Sequence, residues 1–241
     1  MRILVFQHLP VEHPGTLREF WAEDGHTWEA VELDAGEPIP DMDEFDLLVA
    51  MGGPQDLWQK DELPWMRPEI EAIRTWVMDW RRPYLGICLG HQLLAEAVGG
   101  IVGPMAVPEV GLAHVGKTEA GAADPIFRGL APEMLTFQWH GAEARDLPDT
   151  VSILAANPAC PTQAIRYGEH AYGFQFHVEI TPTTVTDWQE VPAYAASLEQ
   201  ALGAERASGL AAEVAPRLPE FRSACETIYR NFSARLATQP A

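Results

Sequence analysis

Tyr84-Leu85-Gly86-Ile87-Cys88-Leu89-Gly90-His91-Gln92 runs from an apolar stretch directly into a helical pattern, with a cysteine at the change. Beyond it Leu93, Leu94, Ala97 and Val98 recur at helical spacing, so the segment reads as strand, sharp turn and helix. A turn of this kind is a nucleophile elbow. The glycines flanking the turn lack Cβ atoms, which lets the backbone fold tightly and hold Cys88 in a strained conformation with its sulfur exposed. The positive end of the helix starting near Leu89 favours the thiolate, the form of cysteine that attacks carbonyl carbon.

Two distant stretches supply what acyl chemistry needs besides a nucleophile. Tyr172-Gly173-Phe174-Gln175-Phe176-His177-Val178-Glu179 alternates like a strand, and a spacing of two puts His177 and Glu179 on one face. Histidine exchanges a proton near neutral pH, and a carboxylate on its far nitrogen fixes the tautomer and stabilises the imidazolium. Cys88, His177 and Glu179 are therefore the expected catalytic triad. Gly52-Gly53-Pro54 follows the apolar run Phe45 to Met51, which reads as a buried parallel strand, so its glycines fall at the strand's carboxyl end. Ligand sites of open α/β sheets lie at such ends. The N–H groups of Gly53 and Leu89 are the expected oxyanion donors, a kind of contact worth roughly 3–4 kcal/mol of barrier.

Taken together and in this order, Gly-Gly-Pro after a strand, Gly-Ile-Cys-Leu-Gly-His-Gln and Phe-Gln-Phe-His-Val-Glu resemble the class I glutamine amidotransferases over about residues 1–182. Phe137-Gln138-Trp139-His140-Gly141 and Ala159-Cys160-Pro161-Thr162-Gln163-Ala164 are similar to stand-alone members related to the amidotransferase domain of GMP synthetase, some of which act as γ-glutamyl peptidases. The resemblance implies an α/β, flavodoxin-like fold and a γ-glutamyl amide substrate. It also implies substrate-binding roles for Gln92, Gln138, Trp139 and His140. Two positions depart from the pattern: Ala142 stands where an acid is expected after His140-Gly141, and Val178 where proline usually separates histidine from glutamate. The first bears on substrate preference, the second on local backbone stiffness.

The rest of the chain fits one catalytic domain. Strand patterns at Arg2–Gln7, Thr27–Leu33 and Phe45–Met51 alternate with helical ones at Gly15–Asp24 and around Ile70, Ile73, Val77 and Trp80, predicting a doubly wound, mostly parallel sheet with flanking helices. After Ile101 come shorter extended segments, 133–139 and 151–156. Residues 163–167 then pair with 171–177 across the turn Gly168-Glu169-His170. Thr181-Pro182 reads as an N-cap and first helical residue. It opens a helical extension, 183–241, expected to pack on the catalytic domain 1–182 through Leu218, Phe221, Cys225, Ile228 and Phe232.

A length of 241 residues with 47% hydrophobic and 21% charged residues suits a globular domain. The net charge of −19 argues against nucleic acid or anionic membrane as a partner, because phosphate would be repelled. No signal sequence or membrane span is evident, and three cysteines without paired spacing suit the cytoplasm. His8, His13 and His26 match no metal-ligand spacing, so no metal is expected, and the two-step acyl chemistry needs no cofactor. His91 is expected to pack within the first helical turn, and Cys160 to lie in a loop. The leaving group stays open. A γ-glutamyl hydrolase needs no partner, whereas an ammonia-donating glutaminase would need a separate synthetase, since no synthetase domain or phosphate-binding loop is evident. A binding module without turnover is the reading from another class.

Overall fold

In a computed structural model, residues 1–236 are described; residues 237–241, the end of the expected extension, lie outside the described residues. The strands are β1 (Arg2–Gln7), β2 (Thr27–Glu32), β3 (Leu47–Ala50), β4 (Tyr84–Ile87), β5 (Ile101–Lys117), β6 (Glu133–Arg145), β7 (Val151–Ala156), β8 (Ala164–Tyr167) and β9 (Ala171–Phe174). They form one sheet in the order β2-β1-β3-β4-β9-β8-β7-β5-β6. From β2 to β9 every pairing is parallel, and from β9 to β6 every pairing is antiparallel.

The expected α/β fold is present, with a sheet more mixed than the sequence pattern suggests. Helical crossovers return the chain for parallel pairing, whereas the short Gly168-Glu169-His170 turn permits only an antiparallel hairpin, here β8–β9. Strand β5 has no counterpart in the alternation pattern. Pro104 and Pro108 interrupt it, and the register against β6 shifts between Pro104 and Glu109, a bulge of the kind that accommodates proline in a sheet.

The inner parallel strands β1, β3, β4 and β9 are buried on both faces, as continuous apolar runs require, whereas the edge strand β2 is mostly exposed. Ile3, Val5, Leu47 and Val49 face one side, where they join α1 (Leu17–Glu23) through Leu17, Phe20 and Trp21. Leu4, Phe6, Leu48 and Ala50 face the other, against α2 (Met66–Arg74) and α3 (Leu89–Ala97). A π-helical turn, Thr75–Asp79, continues α2; Ile70, Ile73 and Val77 are buried, and Trp80 is partly exposed. A short α4 (Glu119–Ala123) links β5 to β6.

Beyond the sheet come α5 (Thr184–Gln189), α6 (Pro192–Leu202), α7 (Ala204–Val214) and α8 (Leu218–Leu236). Helix α8 lies on the α1 face of the sheet. Phe221, Cys225, Ile228 and Phe232 are buried there, and Arg230 and the Tyr229 hydroxyl both reach Asp24 at the end of α1. The helix start expected at Thr181-Pro182 is displaced. Thr183 is the N-cap of α5, and the Thr184 hydroxyl accepts a bond of 2.9 Å from the Thr181 N–H instead.

Candidate functional site

Cys88 joins the end of β4 to the start of α3 with φ 52° and ψ −104°. This is the left-handed region, a strain of order 1–3 kcal/mol for a side chain with a Cβ. The strain sits on the cysteine and not on its neighbours, because neither Gly86 nor Gly90 has positive φ. Those glycines permit close approach instead: a Cβ on Gly90 would collide with the Ala50 carbonyl, and one on Gly86 with the Gly90 carbonyl. The turn is pinned by the Cys88 N–H donating to Phe174 O at 2.8 Å and the Gly90 N–H donating to Met51 O at 3.0 Å. The elbow is therefore tied to both neighbouring strands. Cys88 as a whole is buried, 6% exposed, rather than open to solvent.

Strand β9 ends at Phe174, three residues short of the expected His177. Past it the chain crosses to β6. The His177 N–H donates to Phe137 O at 2.8 Å and the Phe137 N–H donates back to His177 O at 3.1 Å. That bridge fixes His177 beside the elbow, where its imidazole Nδ1 lies 2.7 Å from Glu179 Oε1. Burial opposes a charge on the ring, but Glu179 and the neighbouring Cys88 outweigh it and hold the His177 pKa well above its ordinary value. The second Glu179 oxygen accepts the Val178 N–H at 3.0 Å. Proline at this position would have no N–H to give, so Val178 adds a hydrogen bond to the carboxylate. Its effect goes beyond backbone stiffness.

The loop after β3 brings Gly53 against the elbow, where a Cβ on Gly53 would press on the Leu89 side chain. Leu89 is the first residue of α3, so its N–H belongs to the unpaired first turn of the helix. The loop after β1 closes a third side. The Thr16 N–H donates to Glu179 O at 2.7 Å, and Gly15, at φ 53°, packs where any Cβ would strike that same carbonyl.

Aromatic side chains gather around His177 and Trp139, beside Cys88. The Trp139 carbonyl oxygen is 4.0 Å from Cys88 Sγ, and the Trp139 indole N–H donates to the Ser197 hydroxyl on α6 at 3.1 Å. Trp188 of α5 meets the His177 ring edge to face at 4.9 Å, and Tyr194 of α6 packs on Trp139 at 5.5 Å. The Tyr194 hydroxyl donates to Glu12 Oε1. Glu12 is buried, and desolvation raises its carboxyl pKa to about 7 even though His177 and Tyr194 pull the other way. Glu12, Trp188 and Tyr194 carry no motif. Only the fold brings them to the site.

The family model of the class I glutamine amidotransferases matches residues 20–187. The chain belongs to this family. It is 35% identical over 189 residues to the glutamine amidotransferase-like protein YfeJ of Salmonella typhimurium, covering 77% of this chain and 78% of that one. Identity is also 35% over 147 residues with a glutamine-hydrolysing GMP synthase subunit of Ignicoccus hospitalis, covering 61% and 73%. Among solved structures, a glutamine amidotransferase from Thermotoga maritima superposes with TM-score 0.83 at 25% identity, covering 99% of this chain and 98% of that one. One from Methylobacillus flagellatus superposes with TM-score 0.84 at 25% identity, covering 100% and 97%.

In this member of the family the residues expected to bind substrate divide between two environments. Trp139 turns its carbonyl oxygen to the sulfur, whereas Gln92 reaches it through Gln175: Gln92 Nε2 donates to Gln175 Oε1 at 3.1 Å, and Gln175 Nε2 approaches Cys88 Sγ at 3.6 Å. Gln138 and His140 alternate with Trp139 along β6 and enter a buried polar cluster instead. Gln138 Nε2 donates to Thr136 Oγ1 and to Gln163 Oε1, while Gln163 Nε2 donates to Glu109 Oε2 at 2.8 Å. His140 Nε2 lies 3.3 Å from the same Glu109 oxygen. Ala142 is buried, and the carboxylate facing His140 comes from β5 as Glu109.

His91 is fully buried, and burial pushes its pKa down to about 4, so it is a neutral packing group. Cys160 lies in a loop and is buried, with its thiol pushed up to about 11 by that burial. His13 contacts Arg18, and His26 the N-terminal amine, while His8 is enclosed with Glu69. No helix among the described residues is long and apolar enough to cross a membrane.

Proposed function

We propose that this protein hydrolyses the γ-glutamyl amide bond of glutamine or of γ-glutamyl conjugates through a glutamyl thioester on Cys88. The observation that carries the reading is the alignment of a strained elbow cysteine with a buried histidine whose far nitrogen is held 2.7 Å from Glu179. Cys88, His177 and Glu179 then act as a triad. The Cys88 thiolate attacks the δ-carbonyl, the N–H groups of Gly53 and Leu89 hold the oxyanion, and His177 gives its proton to the departing nitrogen. Water activated by the same histidine cleaves the thioester and releases glutamate. The reaction needs no cofactor. Trp139 walls the pocket, Gln92 acts through Gln175, and Gln138 and His140 support the wall from behind. Entry of substrate requires Trp188 and Tyr194 to move, so α5 and α6 of the extension take part in the catalytic domain's site. A thiolate nucleophile suits the cytoplasm.

A second reading, an ammonia-donating protein that serves a separate synthetase, is favoured by the similarity to a glutamine-hydrolysing GMP synthase subunit. Glutamate release from glutamine and from a panel of γ-glutamyl peptides and amines, with Cys88→Ala as control, separates the two. Preference for conjugates supports the hydrolase, preference for glutamine supports the donor, and no release from any substrate supports a binding module.

A further inference from the structure

A second histidine–carboxylate pair lies behind the oxyanion loop. His8, just past β1, and Glu69, on α2, are both fully buried. His8 Nε2 lies 3.0 and 3.1 Å from the two Glu69 oxygens, and Nδ1 lies 2.8 Å from the Gly52 carbonyl oxygen. Both ring nitrogens thus face acceptors. Nδ1 must carry a proton to donate to the Gly52 carbonyl, and against a carboxylate at Nε2 the doubly protonated ring is the form that satisfies both contacts. Trp65 stacks on the ring, with centroids 5.1 Å apart. The charged groups facing His8 are Glu69 from α2, Glu12 from the loop after β1 and, more weakly, Glu32 from β2. Burial disfavours the imidazolium, but Glu69, the Gly52 carbonyl and Glu12 outweigh it and raise the His8 pKa.

The Gly52 carbonyl and the Gly53 N–H belong to one peptide group, which is trans and planar, so the two point in opposite directions. Whatever holds the carbonyl of Gly52 therefore aims the N–H of Gly53. Two glycines in a row would otherwise leave this plane free to rotate. We propose that His8, charged and anchored by Glu69, is a positioning residue that locks the Gly52–Gly53 peptide with the Gly53 N–H turned toward the oxyanion. The inference rests on the reading of Gly53 as an oxyanion donor.

Two substitutions separate this role from simple filling of the core. In His8→Asn the amide nitrogen takes the place of Nδ1 and keeps the donor to Gly52, whereas in His8→Gln it takes the place of Nε2 and keeps the donor to Glu69. With a γ-glutamyl amide as substrate, His8→Gln loses kcat about 100-fold, the scale of a lost oxyanion donor, with KM changed less than about threefold. His8→Asn recovers to within about fivefold of wild type. Alkylation of Cys88 by iodoacetamide passes through no oxyanion, so its rate stays within about twofold in both variants. Equal losses in the two variants, or a better His8→Gln than His8→Asn, overturn the proposal. Nitrogen-15 spectra of the wild-type imidazoles test it without any variant. The lock requires a proton on His8 Nδ1 at the pH of the assay, and an Nδ1 without a proton there overturns it. Cys88→Ala, run in parallel, distinguishes the failures: wild-type turnover in that variant removes the cysteine mechanism itself, whereas an inactive Cys88→Ala beside an unimpaired His8→Gln removes only the role of His8.

Discussion

Replacing Glu179 by glutamine keeps the shape of the site and removes one charge. In the wild type Glu179 Oε1 accepts the His177 Nδ1 proton at 2.7 Å, with both side chains buried. A charge-assisted hydrogen bond of this kind is worth about 1.5–3 kcal/mol, which alone corresponds to roughly a 10- to 150-fold loss. The tautomer adds to it. A glutamine that turns its NH2 toward Nδ1 forces the proton to Nε2, the nitrogen that must serve Cys88, and a swap of this type in a serine-based triad costs roughly 10⁴-fold. The expected fall in kcat for Glu179→Gln is therefore between about 10²- and 10⁴-fold. The His177 pKa also drops, because its main favourable partner is gone. The assay is steady-state glutamate release against pH, with the His177 titration followed by proton NMR. A variant within about threefold of wild type, or an unmoved His177 titration, refutes the argument that Glu179 orients and charges the base.

Glu12 provides a pH-dependent test of stability. Its folded-state pKa of about 7 lies above its ordinary value of 4.5, so the native state holds the proton longer than the unfolded chain, and stability falls as pH rises between those values. Ionisation there costs about 3 kcal/mol, so urea unfolding should show Glu12→Gln gaining about that much relative to wild type from pH 4.5 to pH 8; a gain independent of pH contradicts the assignment. Gly90→Ala places a methyl group against the Ala50 carbonyl and should lower stability by about 3 kcal/mol or more, read from thermal melts, whereas a neutral effect would mean the elbow is not tight. Phe221→Ala, on the fully buried face of α8, should cost about 3–5 kcal/mol of a single cooperative transition. Two separate transitions would show the extension to be a distinct domain.

The elbow, the first strands and the hairpin that leads toward His177 were legible because each is a local pattern: an apolar run, a glycine pair at a fixed offset, a three-residue turn. Strand β5 was not, since its prolines and bulge erase the period-two signal that identifies a strand. The path of the chain past Phe174 was hidden for a related reason. Alternation continues to Glu179 in the sequence, while the backbone leaves β9 and bridges to β6. Cys88, His177 and Glu179 announce themselves through motifs. Glu12, Tyr194 and Trp188 do not, because their place depends on loops and helices that only tertiary packing brings beside His177. The surroundings of Gln138 and His140 were hidden as well: the motif does not show that their side chains join a buried polar cluster with Gln163 and Glu109, while Trp139 turns its carbonyl oxygen to the Cys88 sulfur.

The most direct test of the account is acid quenching during turnover of a γ-glutamyl amide, followed by intact-mass measurement and peptide mapping. The account predicts a single added glutamyl group, on the peptide that contains Cys88, labile to hydroxylamine as a thioester and absent from Cys88→Ala. A glutamyl group on any other residue, or undiminished glutamate release by Cys88→Ala, would contradict it.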